Sequence, residues 1–243
     1  MKIIVNPKYA GIRDYLEHID EHFEREGREI FRDRNVVKTL KVGPLTLCVK
    51  KYATPSLRRR VETSLYKTPK GKLAYLSPLL LRERGFESPE PVAYVKYDIG
   101  LFRSESYFVC LHSDYRYSMD MLDQLPGEQQ REVVESFARY AARLHEDGFL
   151  HRDFSSGNIL FDRVKGRYRF SLIDTNSIRC GRPVGVKKGC ENFCRLRLDD
   201  VAFTWLAEAY AAERKADPLR CLHLICEARR LYLRKLGLPS GRA

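Results

Sequence analysis

Three short stretches of this chain hold residue types suited to moving a phosphoryl group. The first is His151-Arg152-Asp153-Phe154-Ser155-Ser156-Gly157-Asn158. An aspartate at the centre of such a loop can accept or orient the proton of an attacking hydroxyl. An asparagine five residues later offers a neutral oxygen to Mg²⁺. The second is Ser171-Leu172-Ile173-Asp174-Thr175-Asn176, where a β-rich run ends in an acid 21 residues after Asp153. The third is Leu47-Cys48-Val49-Lys50-Lys51-Tyr52, where a lysine closes a β-branched strand about a hundred residues before the first stretch. Phosphoryl transfer asks for position and charge neutralisation more than for covalent chemistry, and these residues supply both.

The spacing HRDxxxxN is that of a kinase catalytic loop. Asp174 falls where the metal-binding aspartate of a kinase belongs, although the sequence there is IDTN and not DFG. Lys50 fits the register of the phosphate-binding lysine, and Lys51 faces the other way because side chains alternate along a strand. On this reading Asp153 is the catalytic base, Asn158 and Asp174 hold Mg²⁺, and Lys50, Asn158 and Asp174 bind ATP. No GxGxxG precedes Lys50, and Phe31 to Asn35 occupies its place. Between Lys51 and Phe86 the acids are Glu62 and Glu83, so Glu62 is the substitute for the glutamate expected to pair with Lys50. No APE motif follows Asp174, which points to a short or absent activation segment with no phosphorylation switch.

These residues need elements to hold them. Ile12, Tyr15, Leu16, Ile19 and Phe23 recur at helical spacing. From Glu29 to Tyr52 the pattern is that of strands about a turn at Gly43-Pro44. Leu73 to Arg84 reads as a helix closed by Gly85, with Pro78 expected to break or kink it. Val92–Tyr97 and Tyr107–Leu111 read as strands. Glu128–Asp147 is an amphipathic helix with Val133, Val134, Phe137, Tyr140, Ala141 and Leu144 on one face and Gly148 at its end. Two strands follow, at Ile159–Phe161 and Tyr168–Ile173, and the chain from about Arg197 is helical. The expected fold is therefore α+β and protein-kinase-like, with a β-rich lobe at 1–111 and a helical lobe at 112–243.

Bulk composition agrees with a globular, basic protein. The chain has 243 residues, 44% of them hydrophobic and 31% charged, and a formal net charge of +12. Such a surface attracts anions: nucleotides, nucleic acid or an acidic membrane leaflet. No nucleic-acid motif accompanies the charge, so no nucleic-acid partner is expected. Seven cysteines at irregular spacing read as reduced thiols and not as a disulfide framework or zinc site. No stretch of about 18 apolar residues and no signal peptide is present, which points to a soluble or peripheral protein. His145 reads as a packed structural residue. Arg195, Arg197 and Lys187-Lys188 read either as contacts for an anionic sugar or lipid phosphate or as solvated charge.

Over nearly its whole length the chain resembles the lipopolysaccharide kinase family of Gram-negative bacteria, which includes the 3-deoxy-D-manno-octulosonic acid (Kdo) and heptose kinases of the inner core. The likeness rests on MKIIVNPKY, GREIFRDRN, CVKKY, GFESPEPVAY, LHEDGFLHRDFSSGNILF, FSLIDTNSIR and GCENFCRL. The last three segments are the most specific. The resemblance implies an ATP-dependent sugar kinase, cytoplasmic and peripheral on the inner membrane, acting on a Kdo-lipid A type glycolipid. It implies that Asp199 or Asp200 braces the catalytic loop from below, and a helix N-terminal acid is the alternative for that pair. An atypical protein Ser/Thr kinase and a nucleotide-binding pseudokinase are the competing readings. The Arg58-Arg59-Arg60 cluster is the first candidate for contact with an anionic membrane surface.

Overall fold

A computed structural model of the chain describes residues 1–52, 70–99 and 103–238. Arg58-Arg59-Arg60 and Glu62 lie outside these residues. The chain divides into two compact units, Met1–Asp114 and Tyr115–Ala243.

The first unit is built on a six-stranded antiparallel sheet in the order β1-β5-β6-β4-β3-β2. Its strands are β1 (Lys2–Val5), β2 (Arg28–Arg32), β3 (Val36–Val42), β4 (Leu45–Tyr52), β5 (Pro91–Ile99) and β6 (Arg103–Leu111). A turn at Gly43-Pro44 joins β3 to β4, and Gly43 takes the left-handed conformation that such a turn needs. The apolar spacing at residues 12–23 gives two short helices, α1 (Arg13–Glu17) and α2 (Ile19–Arg25), broken at His18. Leu16, Ile19 and Phe23 bury against Val49, Val95, Tyr107 and Val109 of the sheet.

Helix α3 (Lys70–Glu83) packs on β5 and β6. A β-carbon on Gly71 would lie 2.6 Å from the Tyr94 ring, so glycine lets the helix start approach that strand. The helix runs through Pro78 without a break. Proline forfeits one helical hydrogen bond, but Pro78 is buried with Ala74, Tyr75, Ser77 and Leu81, and that packing offsets the loss. At its end the Phe86 N–H donates to the Leu81 carbonyl and the Gly85 N–H to that of Arg82, closing the helix with glycine in the left-handed region.

In the second unit β7 (Tyr117–Ser118) and helix α4 (Gly127–Glu146) precede β8 (Phe149–His151). The six apolar residues picked out on α4 are all buried. Strands β9 (Ile159–Val164) and β10 (Arg167–Leu172) form a hairpin in which Ile159 pairs with Leu172 and Phe161 with Phe170. Its turn residues Lys165 and Gly166 both have positive φ, the backbone that matches strand twist in two-residue hairpins. Strand β11 (Ile178–Cys180) pairs with β8, and helices α5 (Val186–Asn192), α6 (Asp200–Arg214) and α7 (Pro218–Lys235) complete the unit. No helix among the described residues is long and apolar enough to cross a membrane. All seven cysteines are free thiols.

Gly148 is where α4 turns into β8. Its φ is +80°, and a β-carbon there would sit 2.1 Å from the Gly181 carbonyl oxygen. Both the conformation and the clash oppose any side chain, and the obstructing atom is backbone. Gly148→Ala is expected to destabilise the protein by about 2 kcal/mol or more, read as a lower urea midpoint with unchanged slope.

Candidate active site

Strand β8 delivers His151 to the start of the HRD loop, and the imidazole ties that loop to the end of β10. Its Nε2 donates to the Ile173 carbonyl (3.1 Å), and its Nδ1 accepts from the Asp153 N–H (3.2 Å). Both bonds hold only for a neutral ring protonated on Nε2. Burial pushes its pKa below the ordinary histidine range, which favours that state. Asn158 adds a second tie: its side-chain amide donates to the Asp153 carbonyl at 2.9 Å. Its own carbonyl accepts from the Ile173 N–H at 3.0 Å.

The β9–β10 hairpin explains why Asn158 and Asp174 meet. Ile159 opposes Leu172, so one step outward Asn158 opposes Ile173, with Asp174 next in line. Asp174 turns the chain there in the left-handed conformation (φ 52°), which aspartate tolerates better than most residues. The Asn176 amide donates to its Oδ1 and fixes the carboxylate's rotation. With the Asn158 side-chain nitrogen committed to the Asp153 carbonyl, the amide oxygen is the atom it can offer a cation. The pair is thus an amide oxygen and a carboxylate, hard donors that suit Mg²⁺. Among the described residues no cluster of three or more His, Cys, Asp or Glu could hold a metal. An ion here would draw its remaining ligands from water and phosphate, as Mg²⁺ commonly does.

The loop is braced from a segment whose role the sequence left open, GCENFCRL. The Asn192 amide donates to the His151 carbonyl (2.9 Å), and its Oδ1 accepts from His145 Nε2 (3.2 Å). His145 Nδ1 in turn accepts from the Tyr210 hydroxyl (2.9 Å), and that oxygen accepts from Arg214 Nη1 (2.9 Å). A directed chain of hydrogen bonds therefore runs from α6 to the catalytic loop. A β-carbon on Gly189 would lie 1.9 Å from the Tyr210 hydroxyl, which accounts for the glycine. Phe193 packs on Phe154, whose ring also meets Phe137, His145 and His151. The Arg197 N–H donates to Ser156 Oγ (2.8 Å), and Arg195 Nη1 lies 2.8 Å from Asp153 Oδ1.

The brace expected of Asp199 or Asp200 is thus supplied by Asn192. Asp199 caps α6, accepting from the Ala202 N–H at 2.7 Å, and Asp200 is exposed in its first turn. Helix-end amides draw a carboxylate as strongly as a loop does. The signal in the sequence was the Asn at a fixed offset from Gly189, but its partners are 41 and 47 residues away.

Lys50 lies on β4 of the first unit. It stands opposite Phe108, which stands opposite Tyr94, so the three share one sheet face. Lys51 faces the other way, where it pairs with Glu24 (2.8 Å) and Glu105 (3.1 Å). On α3 the one acid is Glu83, exposed at its last position.

A two-unit chain with a β-sheet lobe, a helical lobe and a loop of this construction has a protein-kinase-like fold. A solved structure described as WaaP in complex with acyl carrier protein superimposes with a TM-score of 0.63, covering 98% of each chain at 15% sequence identity. The family model of the lipopolysaccharide kinase (Kdo/WaaP) family matches residues 78–204, more than half of the sequence. The chain belongs to that family and is an ATP-dependent phosphotransferase with an alcohol group as acceptor. No curated protein matches it.

His145 makes the brace sensitive to acid. Burial lowers its pKa from the ordinary 6.5 to about 4, so between these values the unfolded chain binds a proton that the folded chain refuses. Its contribution is intact above about pH 6.5 and is lost as pH falls towards 4. The loss reaches about 3 kcal/mol at most. His145→Gln is expected to be less stable at pH 7 yet to lose less stability on acidification, as measured by urea unfolding at pH 7 and pH 4.5.

Proposed function

We propose that the chain phosphorylates a sugar hydroxyl of the lipopolysaccharide inner core, Kdo or heptose, from Mg-ATP at the cytoplasmic face of the inner membrane. The observation that carries this reading is the common anchorage of Asp153, Asn158 and Asp174 through His151 and Ile173. A structural loop has no need of three oxygen-bearing groups fixed to one another. In this reading Asp153 orients the acceptor hydroxyl and takes its proton, Lys50 clamps phosphate, and Asn158 with Asp174 would hold Mg²⁺. The ion's contribution when bound is neutralisation of phosphate charge. The chain's own contribution is preorganisation, since the loop is held before substrate arrives.

The test is incubation with Mg-ATP and purified Kdo-lipid A or core oligosaccharide, read by mass for one added phosphate. Asp153→Ala is expected to abolish the gain while nucleotide affinity stays within a few-fold. Asp174→Ala is expected to remove the tightening of ATP binding by Mg²⁺. An equal Mg²⁺ response in Asp174→Ala and wild type would reject the metal assignment.

The acceptor is a membrane glycolipid, and the surface suits an anionic leaflet. Besides the net charge of +12, α7 exposes Arg220, Arg230, Arg234 and Lys235 beside Leu219 and Leu231, with Leu236 just beyond its end. Each cation near such a surface contributes about 1 kcal/mol, screened over about 8 Å at physiological salt. Co-sedimentation with vesicles containing anionic lipid is expected at low salt and is expected to be lost at about 0.5 M. Changing Arg230, Arg234 and Lys235 to Ala is expected to weaken it. Binding indifferent to salt and lipid charge would reject peripheral attachment by charge.

A further inference from the structure

Arg195 has no part in the reading above, and its surroundings are unusual for a surface arginine. Its Nη1 lies 2.8 Å from Asp153 Oδ1, and the two side chains are each 36% exposed. The approach is close but unaligned: Asp153 Oδ1 is buried without a proper hydrogen bond, and so is Arg195 Nε. Half-exposed ion pairs contribute little to stability, while a buried N–H with no acceptor costs about 1–3 kcal/mol. Stability alone therefore does not explain the arrangement.

The guanidinium is nevertheless held in place. Tyr232 of α7 lies under it, 5.5 Å from its carbon to the ring centre. The segment carrying it is tied to the catalytic loop before and after, by Asn192 to the His151 carbonyl and by the Arg197 N–H to Ser156. Arg229 Nη1 adds a bond to the Leu196 carbonyl at 2.6 Å. From Phe154 to Gly157 the loop itself carries no cation. The cation paired with the Asp153 carboxylate thus comes from 42 residues further along the chain.

We propose that Arg195 is a catalytic residue that binds the phosphoryl group in transit. The proposal rests on the role given to Asp153. A hydroxyl held by Asp153 attacks the γ-phosphorus. The new oxygen–phosphorus bond forms as the bond to the β–γ bridging oxygen breaks. The hydroxyl proton goes to Asp153, and ADP leaves with the electron pair. Negative charge on the transferred group lies next to Asp153 throughout, within reach of a guanidinium already 2.8 Å from that carboxylate. Arginine has five donors in a planar fork and stays protonated, so it can keep Asp153 in place with one edge and meet phosphoryl oxygens with another. It also relieves the repulsion between the Asp153 carboxylate and the phosphates.

Wild type, Arg195→Ala and Arg195→Lys are compared with Mg-ATP and a purified core acceptor, with thermal unfolding as a control for folding. Arg195→Ala is expected to lower kcat by about 10²–10³-fold, with KM for ATP within about threefold and little change in unfolding temperature. Arg195→Lys is expected to recover part of that loss, because a point charge replaces the fork. Guanidinium ion at about 50 mM is expected to raise the turnover of Arg195→Ala but not that of Asp153→Ala. Turnover of Arg195→Ala within a few-fold of wild type overturns the proposal. So does a loss that neither lysine nor guanidinium restores, which assigns Arg195 to bracing alone. Failure of wild type to transfer phosphate to any core acceptor removes the role of Asp153, and the proposal falls with it.

Discussion

His151 is buried against the Phe154 ring and makes two hydrogen bonds that only its neutral Nε2-protonated form can make. One bond reaches the end of β10 and the other the N–H of Asp153. A charged ring would put two donors where one donor and one acceptor are needed. It would also carry that charge into the contact shell of Phe154, which is fully buried. The neutrality of one imidazole thus fixes the distance between the acid proposed to meet the acceptor and the strand end that carries Asp174. Interior imidazoles are often passive filling, but this one joins the two halves of a site.

Such a junction needs support from below, because a partly satisfied buried network costs more than an apolar core. Asn192 occupies the His151 carbonyl and hands the remaining demand to His145, Tyr210 and Arg214 in turn. Arg214 ends the chain and also donates to the Val184 carbonyl at 2.7 Å. Every link but the last, Tyr210 to Arg214 within α6, joins elements distant in sequence, so the helices of the second unit hold the loop through polar contacts as well as through packing. Gly189 belongs to the same logic, since its missing side chain is the space that the Tyr210 hydroxyl fills.

Much of this fold can be read from local pattern. The face of α4, the Gly43 turn and the two strands after the catalytic loop follow from periodicity and turn chemistry, which act over a few residues. The kinase-like loop was legible because its eight residues are contiguous. The brace was not, because the three hydrogen bonds that tie Asn192, His145 and Tyr210 to the loop join residues 41 to 65 apart and no periodicity records them. A capping carboxylate and a bracing one look alike in sequence, so the two acids at the start of α6 do not declare which role they serve. Pro78 is a related case: its local cost is visible in the sequence, and the burial that offsets it is not.

The hairpin between Asn158 and Asp174 has one more consequence. Strand pairings can slip, and side chains alternate faces, so a slip of one residue in β9 against β10 would turn Phe161 or Phe170 out of the core. Both rings are almost wholly buried. The apolar alternation of these two strands is therefore also a ruler. It permits one alignment, and that alignment sets the spacing of the oxygen donors beyond the strand ends. A site made of polar atoms inherits its tolerance from phenylalanines that never touch a substrate.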